Sequence, residues 1–165
     1  MEFPTNGDNL TASLSEVENE PLSGVIIEPI QATAGLKFVS KQSLQELREF
    51  ANRKKIPLIF DETFTGFGRT GKIFAFEHYD IVPDMIIFGK ALSAGFPAGL
   101  VVSNEAILTH WEKGTQSSTF QLNPVAAAAS LFFLDQIKNG DILTNIDNNA
   151  IDFDKMLSEI KNLSG

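Results

Sequence analysis

The clearest indication of the fold is the segment Pro57-Leu58-Ile59-Phe60-Asp61-Glu62. It is an unbroken apolar run that ends abruptly in two acidic residues. A run of this kind is typical of a short strand buried on both faces, as in a parallel sheet that is covered by helices. The stretch therefore predicts an α/β protein.

Three further apolar runs on either side of this stretch extend the sheet, and a helical pattern lies between the first run and Pro57. In that pattern Leu44, Leu47, Phe50 and Ala51 recur at the spacing of one helix face, with Ser40 or Ser43 as the capping residue. The order of elements predicts a mostly parallel sheet flanked by helices. The three further runs are Val25-Ile26-Ile27, Met85-Ile86-Ile87-Phe88 and Leu100-Val101-Val102.

The length of 165 residues fits one main domain, since chains average roughly 100 to 200 residues per domain. Residues 1–23 lack a periodic apolar pattern and are predicted to be a connecting loop. We expect residues 24–140 to form part of a ligand-binding domain, ending in an Ala-rich helix that Pro124 opens. Residues 141–165 predict a last helix that leads towards another domain.

Composition excludes several classes of function. Thirteen Lys and Arg against twenty-one Asp and Glu give a net charge of −8, which argues against a nucleic-acid groove. The absence of cysteine excludes disulfides and a cysteine-based zinc site, and no metal site is predicted. No apolar run approaches the roughly 20 residues that span a bilayer, and the polar, acidic start indicates a cytoplasmic protein without membrane contact.

Charged residues stand where three of the predicted strands end: Glu28, Asp61 and Lys90. Ligands of open α/β sheets bind at the carboxyl ends of the strands. A carboxylate there can keep the ring nitrogen of pyridoxal phosphate protonated, and a nearby lysine can form a Schiff base with it. Each charge alone could simply end a strand, but the three together indicate a ligand site, and Asp61 and Lys90 are interpreted as a pair around a flat heteroaromatic cofactor of this kind.

A glycine-rich loop offers a competing interpretation. Gly66-Phe67-Gly68-Arg69-Thr70-Gly71-Lys72 fits the first seven positions of a phosphate-binding P-loop. However, Ile73 stands where a hydroxyl must reach the metal, and the acidic strand precedes this loop directly instead of following it. A nucleotide-binding function therefore remains only as an alternative, and glycines that permit tight turns explain the same residues.

Several stretches, in order, resemble the class III aminotransferases, pyridoxal-phosphate enzymes of fold type I. The resemblance implies that this chain is an internal part of their large domain and that it takes part in transamination. An amino group would then pass from an amine or amino acid to a 2-oxo acid, aldehyde or ketone. The stretches are Glu28-Pro29-Ile30-Gln31, Asp61-Glu62, Thr65 to Gly71, Pro83-Asp84-Met85-Ile86, Gly89-Lys90-Ala91-Leu92-Ser93-Ala94-Gly95, Ser118-Thr119-Phe120 and Asn123-Pro124.

The resemblance also implies roles for individual residues. Lys90 would bond to the cofactor and move protons, Asp61 would hold the pyridinium nitrogen, and Thr63 would pack on a ring face. Ser118 and Thr119 would reach the cofactor phosphate of a partner subunit, so the site would be completed in a homodimer. Glu28 is the candidate residue on the substrate side.

The chain departs from the family pattern at positions that bear on specificity. Phe64, a further residue at the cofactor, stands where many members have a Gln that bonds the phenolic oxygen, so that bond is expected to be lost. Thr33 stands where many enzymes of ω-amino acids have Glu. The family's earlier phosphate loop and later small domain find no counterpart in these 165 residues. The alternative function is therefore a catalytically inactive interaction module.

Overall fold

A four-stranded sheet forms the centre of the protein, and the computed structural model describes residues 10–115, 121 and 123–163. The strands in the described residues are β1 (Val25–Ile27), β2 (Ile30–Gln31), β3 (Lys37–Phe38), β4 (Leu58–Asp61), β5 (Met85–Phe88) and β6 (Leu100–Ser103). The order in the central sheet is β1-β4-β5-β6. The first three of these strands are parallel, and β6 runs antiparallel to β5. This confirms the predicted mostly parallel sheet.

Helices flank this sheet, as the sequence predicts. Ser40 caps α2, because its hydroxyl accepts a hydrogen bond from the backbone N–H of Ser43 at 3.0 Å. Asn123 caps α4 in the same way, and Pro124 is the first residue of that helix. The helices are α1 (Leu10–Glu16), α2 (Lys41–Lys54), α3 (Glu105–Leu108), α4 (Pro124–Asn139) and α5 (Ile142–Leu163).

The larger apolar core lies between α1, α2 and the strands β1 and β4, and we call it the α2 cluster. The four residues predicted to share one face of α2 are all buried in it. Removing this much apolar surface from water is the main stabilising contribution to a fold of this kind. Its members are Leu10, Leu14, Ile27, Val39, Leu44, Leu47, Phe50, Ala51, Leu58, Phe60 and Ile81.

A second, smaller core lies beneath the glycine-rich loop, and we call it the loop cluster. Its buried members are Phe67, Phe88, Leu92 and Ile137. The Phe67 ring lies 5.0 Å from the Phe88 ring, measured between centroids, at a distance typical of attractive aromatic pairs. This cluster joins the loop to β5 and α4.

Two local predictions were incomplete. Residues 1–23 are not all loop, because Leu10–Glu16 forms α1, whose Leu10 and Leu14 are buried against the core. The short antiparallel pair of β2 and β3 was not predicted, since two-residue strands leave no periodic pattern. The rest of the segment before residue 24 runs without regular structure over the part that is described.

Most of the exposed large apolar side chains that lie on helices and strands are on β6, α4 and α5. They include Leu100 to Val102 on β6, Leu131 and Phe132 on α4, and Ile151, Phe153, Met156 and Ile160 on α5. The first turns of α5 lie against the glycine-rich loop, where Ile146 and Leu143 approach Gly68. Among the helices within the described ranges, none is long and apolar enough to cross a membrane.

Candidate functional site

The carboxyl edge of the sheet carries the three predicted charges. Asp61 is the last residue of β4, and it pairs in register with Ile87 of the neighbouring β5. Lys90 follows β5 after a single glycine, Gly89, and is three residues beyond Ile87. Glu28 follows β1, which pairs with β4 on the other side. Parallel pairing therefore brings Asp61 and Lys90 to adjacent strand ends, as the sequence predicts.

The backbone orients the Asp61 carboxylate. Its Oδ1 accepts a hydrogen bond from the backbone N–H of Thr63 at 2.9 Å, which closes a tight turn directly after β4. The residue is only partly buried, so the carboxylate can still meet a ligand. A carboxylate fixed at a strand end is suited to accept a hydrogen bond from a protonated nitrogen.

The backbone of Lys90 adopts a left-handed conformation, with φ of +44°. Such a conformation is uncommon for a residue with a Cβ atom and is often found at functional sites. Lys90 begins a 3₁₀ turn, Lys90–Ser93, in which Leu92 and Ser93 are buried while Lys90 itself is exposed. The buried part of the turn thus anchors a lysine whose amine remains accessible.

Thr63 and Phe64 enclose the space between these two strand ends. A Cβ atom on Gly89 would lie 3.1 Å from Cγ2 of Thr63, so only a glycine permits this close approach without a shift of the threonine. The Lys90 Nζ lies 4.4 Å from the centre of the Phe64 ring, within the range of a cation–π interaction. The predicted residues Asp61, Thr63, Phe64 and Lys90 are therefore brought together.

The other predicted residues lie elsewhere. Glu28 is partly buried, and its Oε2 accepts a hydrogen bond from the backbone N–H of Ala32 at 3.4 Å. It stands one strand away from Asp61, on the β1 side. Ser118 and Thr119 lie outside the described residues, so the phosphate contact that the resemblance implies for them stays a prediction.

Glu62 is a residue of the site that the sequence analysis missed. Its side chain is 1% exposed, and its carboxylate accepts hydrogen bonds from the backbone N–H groups of Ala75 at 2.7 Å and Phe76 at 2.9 Å. Thr65 donates a third bond. Burial raises the pKa of Glu62, although these hydrogen bonds act in the opposite direction. Glu62 thereby ties the end of the glycine-rich loop to the end of β4.

The burial pattern could have revealed Glu62. Side chains alternate between the two sides of a strand, and in β4 the buried positions are Leu58 and Phe60. Continuing this alternation places Glu62 on the side of Phe60 and Asp61 on the other side. The two adjacent acidic residues therefore differ: Glu62 is buried and Asp61 is only partly buried.

The glycine-rich loop does not form a P-loop. A P-loop leads directly into a helix whose N-terminus holds the phosphate. Here the residues after Lys72 lead only into a short 3₁₀ turn, Ala75–His78. The glycines instead serve turns: Gly68 and Gly71 have φ values of +88° and +85°. The alternative of a nucleotide-binding P-loop is therefore wrong.

The arrangement fits a flat heteroaromatic cofactor with a ring nitrogen and an aldehyde. In the described part of the chain no ion pair joins Asp61 to Lys90, so the two opposite charges flank the site without closing on each other. A carboxylate suits a pyridinium nitrogen and a primary amine suits an aldehyde. No cluster of three His, Asp or Glu side chains that could hold a metal is found among the described residues.

Comparison with known proteins identifies a family and relatives that this chain resembles. Residues 5–164 match the family model described as Aminotransferase class-III. A curated relative, the acetylornithine aminotransferase of Oceanobacillus iheyensis, is 38% identical over 156 residues. That match covers 94% of this chain but only 39% of the relative. The chain thus spans about two fifths of the length of this relative.

Solved structures agree with the fold. The ornithine delta-aminotransferase of Plasmodium falciparum superposes with a TM-score of 0.81 at 30% identity, covering 93% of this chain and 40% of that protein. The ornithine aminotransferase of Toxoplasma gondii gives a TM-score of 0.83 at 28% identity, covering 93% of this chain and 36% of that protein. In that Toxoplasma structure PLP partially occupies the active site. The sheet and its helices therefore share the fold of these aminotransferases.

Proposed function

This chain belongs to the class III aminotransferases, and from that premise we propose that it acts in pyridoxal-phosphate-dependent transamination. An amino group passes from an amine or amino acid to a 2-oxo acid, aldehyde or ketone. The observation that carries the proposal is the placement of Asp61 and Lys90 at the ends of two neighbouring parallel strands without an ion pair between them in the described structure. If these two charged side chains served only to stabilise the fold as an ion pair, they would contact each other.

The two charged side chains divide the chemistry between them. Pyridoxal phosphate, when bound, supplies an aldehyde that reacts with primary amines and a ring that withdraws electrons while its nitrogen is protonated. The Asp61 carboxylate holds the proton on the ring nitrogen, and Thr63 keeps that carboxylate oriented through its backbone N–H. A neutral side chain at position 61 could not stabilise the charged nitrogen.

The amine of Lys90 is the group that reacts and then carries protons. It follows β5 on a turn in which Leu92 and Ser93 are buried, so the base of its side chain is held in place while the amine lies over the Phe64 ring. Positioning of this kind raises the effective concentration of an amine at the reacting atom. Thr63 packs beside the reacting centre, and Glu28 faces the substrate side.

We extend the proposal to the assembly and to the phosphate. Ser118 and Thr119 donate hydrogen bonds to the cofactor phosphate of a partner subunit, so that the working site is completed in a homodimer. The support for this step is the family pattern Ser118-Thr119-Phe120 followed by Asn123-Pro124. Substituting both hydroxyl residues with Ala should weaken retention of the cofactor and leave the Lys90 chemistry in place.

The test of the proposed function is chemical fixation of the cofactor. We expect pyridoxal phosphate to give the 165-residue protein visible absorbance that borohydride removes, leaving the pyridoxyl group on the Lys90 peptide. Lys72, an exposed lysine in the glycine-rich loop, is the internal control and should carry little label. The variant Lys90→Arg keeps the charge and should lose the label.

Two results would count against the proposal. Equal labelling of Lys72 and Lys90 would mean that Lys90 is an ordinary surface lysine. Labelling of Lys90 that is unchanged when Asp61→Asn is introduced, together with an unchanged absorbance maximum, would remove Asp61 from the site. The second result leaves Lys90 in place, so the two roles fail separately.

A further inference from the structure

The amine of Lys90 lies over the ring of Phe64. The Nζ atom lies 4.4 Å from the centre of the Phe64 ring, and the Cζ atom of Arg69 lies 5.9 Å from the same centre. A cation within about 6 Å of an aromatic ring is attracted by its negative face. The ring therefore offers the charged amine a partner that is neither a carboxylate nor water.

Asp61 is the competing partner. It ends the neighbouring strand, and an exposed lysine and a carboxylate at adjacent strand ends would ordinarily attract each other. Such a pair gains little in the presence of solvent, so a cation–π contact is of comparable strength. In the described structure Lys90 makes the ring contact and no ion pair with Asp61.

The location of the ring is itself fixed by the loop. Thr65, the residue after Phe64, is 1% exposed, and its hydroxyl bonds the buried Glu62 carboxylate. The backbone N–H of Gly66 bonds the carbonyl of Glu62 at 3.0 Å. Phe64 is thus held by a turn that is anchored on both of the following residues, whereas a freely mobile ring could not favour one position of Lys90.

We propose that Phe64 is a positioning residue that holds the protonated amine of Lys90 against its ring and so keeps Asp61 free of an internal ion pair. The inference rests on the proposed function in that it gives the free Asp61 carboxylate a purpose, which is to meet the ring nitrogen of the cofactor. It concerns a residue in which this chain departs from its family. The side chain at position 64 then acts on Lys90 instead of on the cofactor's phenolic oxygen.

The direct test is NMR of the lysine Cε protons in the cofactor-free 165-residue protein, with the Lys90 signal assigned by its loss in Lys90→Arg. An aromatic ring shifts protons above its face upfield. We expect the Lys90 signal to lie upfield of the Lys72 signal, to stay there in Phe64→Tyr and to move to the Lys72 position in Phe64→Leu.

The variant Asp61→Asn distinguishes a positioning role of Phe64 from a ring contact that has no effect on the pairing of Lys90 with Asp61. In the wild-type protein, Asp61→Asn should leave the Lys90 signal unchanged, because the two side chains are not paired. In the Phe64→Leu background, Asp61→Asn should shift that signal, since the released amine now pairs with Asp61. Fixation of pyridoxal phosphate on Lys90 should also fall about two- to fivefold in Phe64→Leu, because the amine and the Asp61 carboxylate then occupy each other.

Coincident Lys90 and Lys72 signals in the wild-type protein would overturn the proposal. A Lys90 signal that is insensitive to Asp61→Asn in both backgrounds would overturn it as well, because Phe64 would then hold nothing away from Asp61. Absence of cofactor fixation on Lys90 in the wild-type protein would instead contradict the proposed function. The NMR result decides the role of Phe64 in either case.

Discussion

The α2 cluster and the loop cluster are both apolar, yet they are assembled from different kinds of segment. The α2 cluster takes its buried residues mainly from helices and strands, and Leu44, Leu47 and Phe50 are each at most 1% exposed. The loop cluster joins a glycine-rich loop, the end of β5, a 3₁₀ turn and α4. Thr63, Phe64 and Lys90 lie on segments next to the loop cluster. The contrast suggests that the first region supplies stability and that the second arranges the site.

The largest effect should come from matched truncations of two phenylalanines. Phe50→Ala in the α2 cluster should lower the free energy of unfolding by about 3–5 kcal/mol, because it leaves a cavity in a fully buried position. Phe132→Ala on α4, where the ring is 66% exposed, should change it by less than about 0.5 kcal/mol. Urea unfolding followed by circular dichroism measures both. Similar losses in the two variants would mean that burial in the α2 cluster does not decide the cost of removing a phenylalanine ring.

The pH dependence of stability should reveal Glu62, which ties the loop to β4. Burial raises the pKa of Glu62 in the folded protein, so the folded state holds its proton at pH values where the unfolded chain has released it. Its contribution to stability is therefore present below the ordinary glutamate pKa and is lost as the pH rises through the raised value. The slope from this one proton is at most about 1.4 kcal/mol per pH unit.

The control for this effect is Glu62→Gln, which cannot titrate. Relative to that variant, the unfolding free energy of the wild-type protein should fall as the pH rises from the acidic side. All other carboxylates are common to the two proteins and cancel in the difference. Parallel pH profiles would mean that Glu62 titrates normally and that its burial carries no electrostatic cost.

The smallest change in the free energy of unfolding should come from replacing with glycine either of two lysines that have left-handed backbones. Lys55, at the C-terminal end of α2, has φ of +55°, close to the +44° of Lys90. Lys55→Gly should raise the free energy of unfolding by about 0.5–1 kcal/mol, because glycine relieves the left-handed strain at some entropic cost. Lys90→Gly should raise it by less, since the contact with Phe64 is lost as well.

Thermal or urea unfolding of the two variants side by side gives this comparison. Lys55→Gly should leave cofactor fixation on Lys90 intact. This result would distinguish backbone strain at the end of α2 from backbone strain at the candidate site. A larger gain for Lys90→Gly than for Lys55→Gly would show that the ring contact adds nothing to stability.

Much of the fold could be predicted from the sequence, because local sequence patterns indicate most of its strands and helices. Apolar runs identified the four strands of the central sheet, and the spacing of Leu44, Leu47 and Phe50 identified the buried face of α2. Leu10 and Leu14 were overlooked, since two apolar residues four apart give too weak a pattern for a helix. The antiparallel direction of β6 depends on long-range pairing with β5, which no local pattern encodes.

The candidate site was predicted only where residue type and chain position sufficed. Asp61 and Lys90 were found because charges at strand ends are conspicuous. Glu62 was missed because its partners, Ala75 and Phe76, lie thirteen and fourteen residues away along the chain. The contact of Phe64 with Lys90 depends on how two loops meet, so Phe64 was named as a candidate site residue but its contact with Lys90 was not predicted.

¹⁵N NMR of the cofactor can show whether Asp61 and Lys90 face one ligand from neighbouring strand ends. Pyridoxal phosphate labelled at its ring nitrogen is first fixed on Lys90 with borohydride, which removes any dependence on binding strength. We expect the ring nitrogen to stay protonated to a higher pH in the wild-type protein than in Asp61→Asn. Identical titration curves in the two proteins would contradict it.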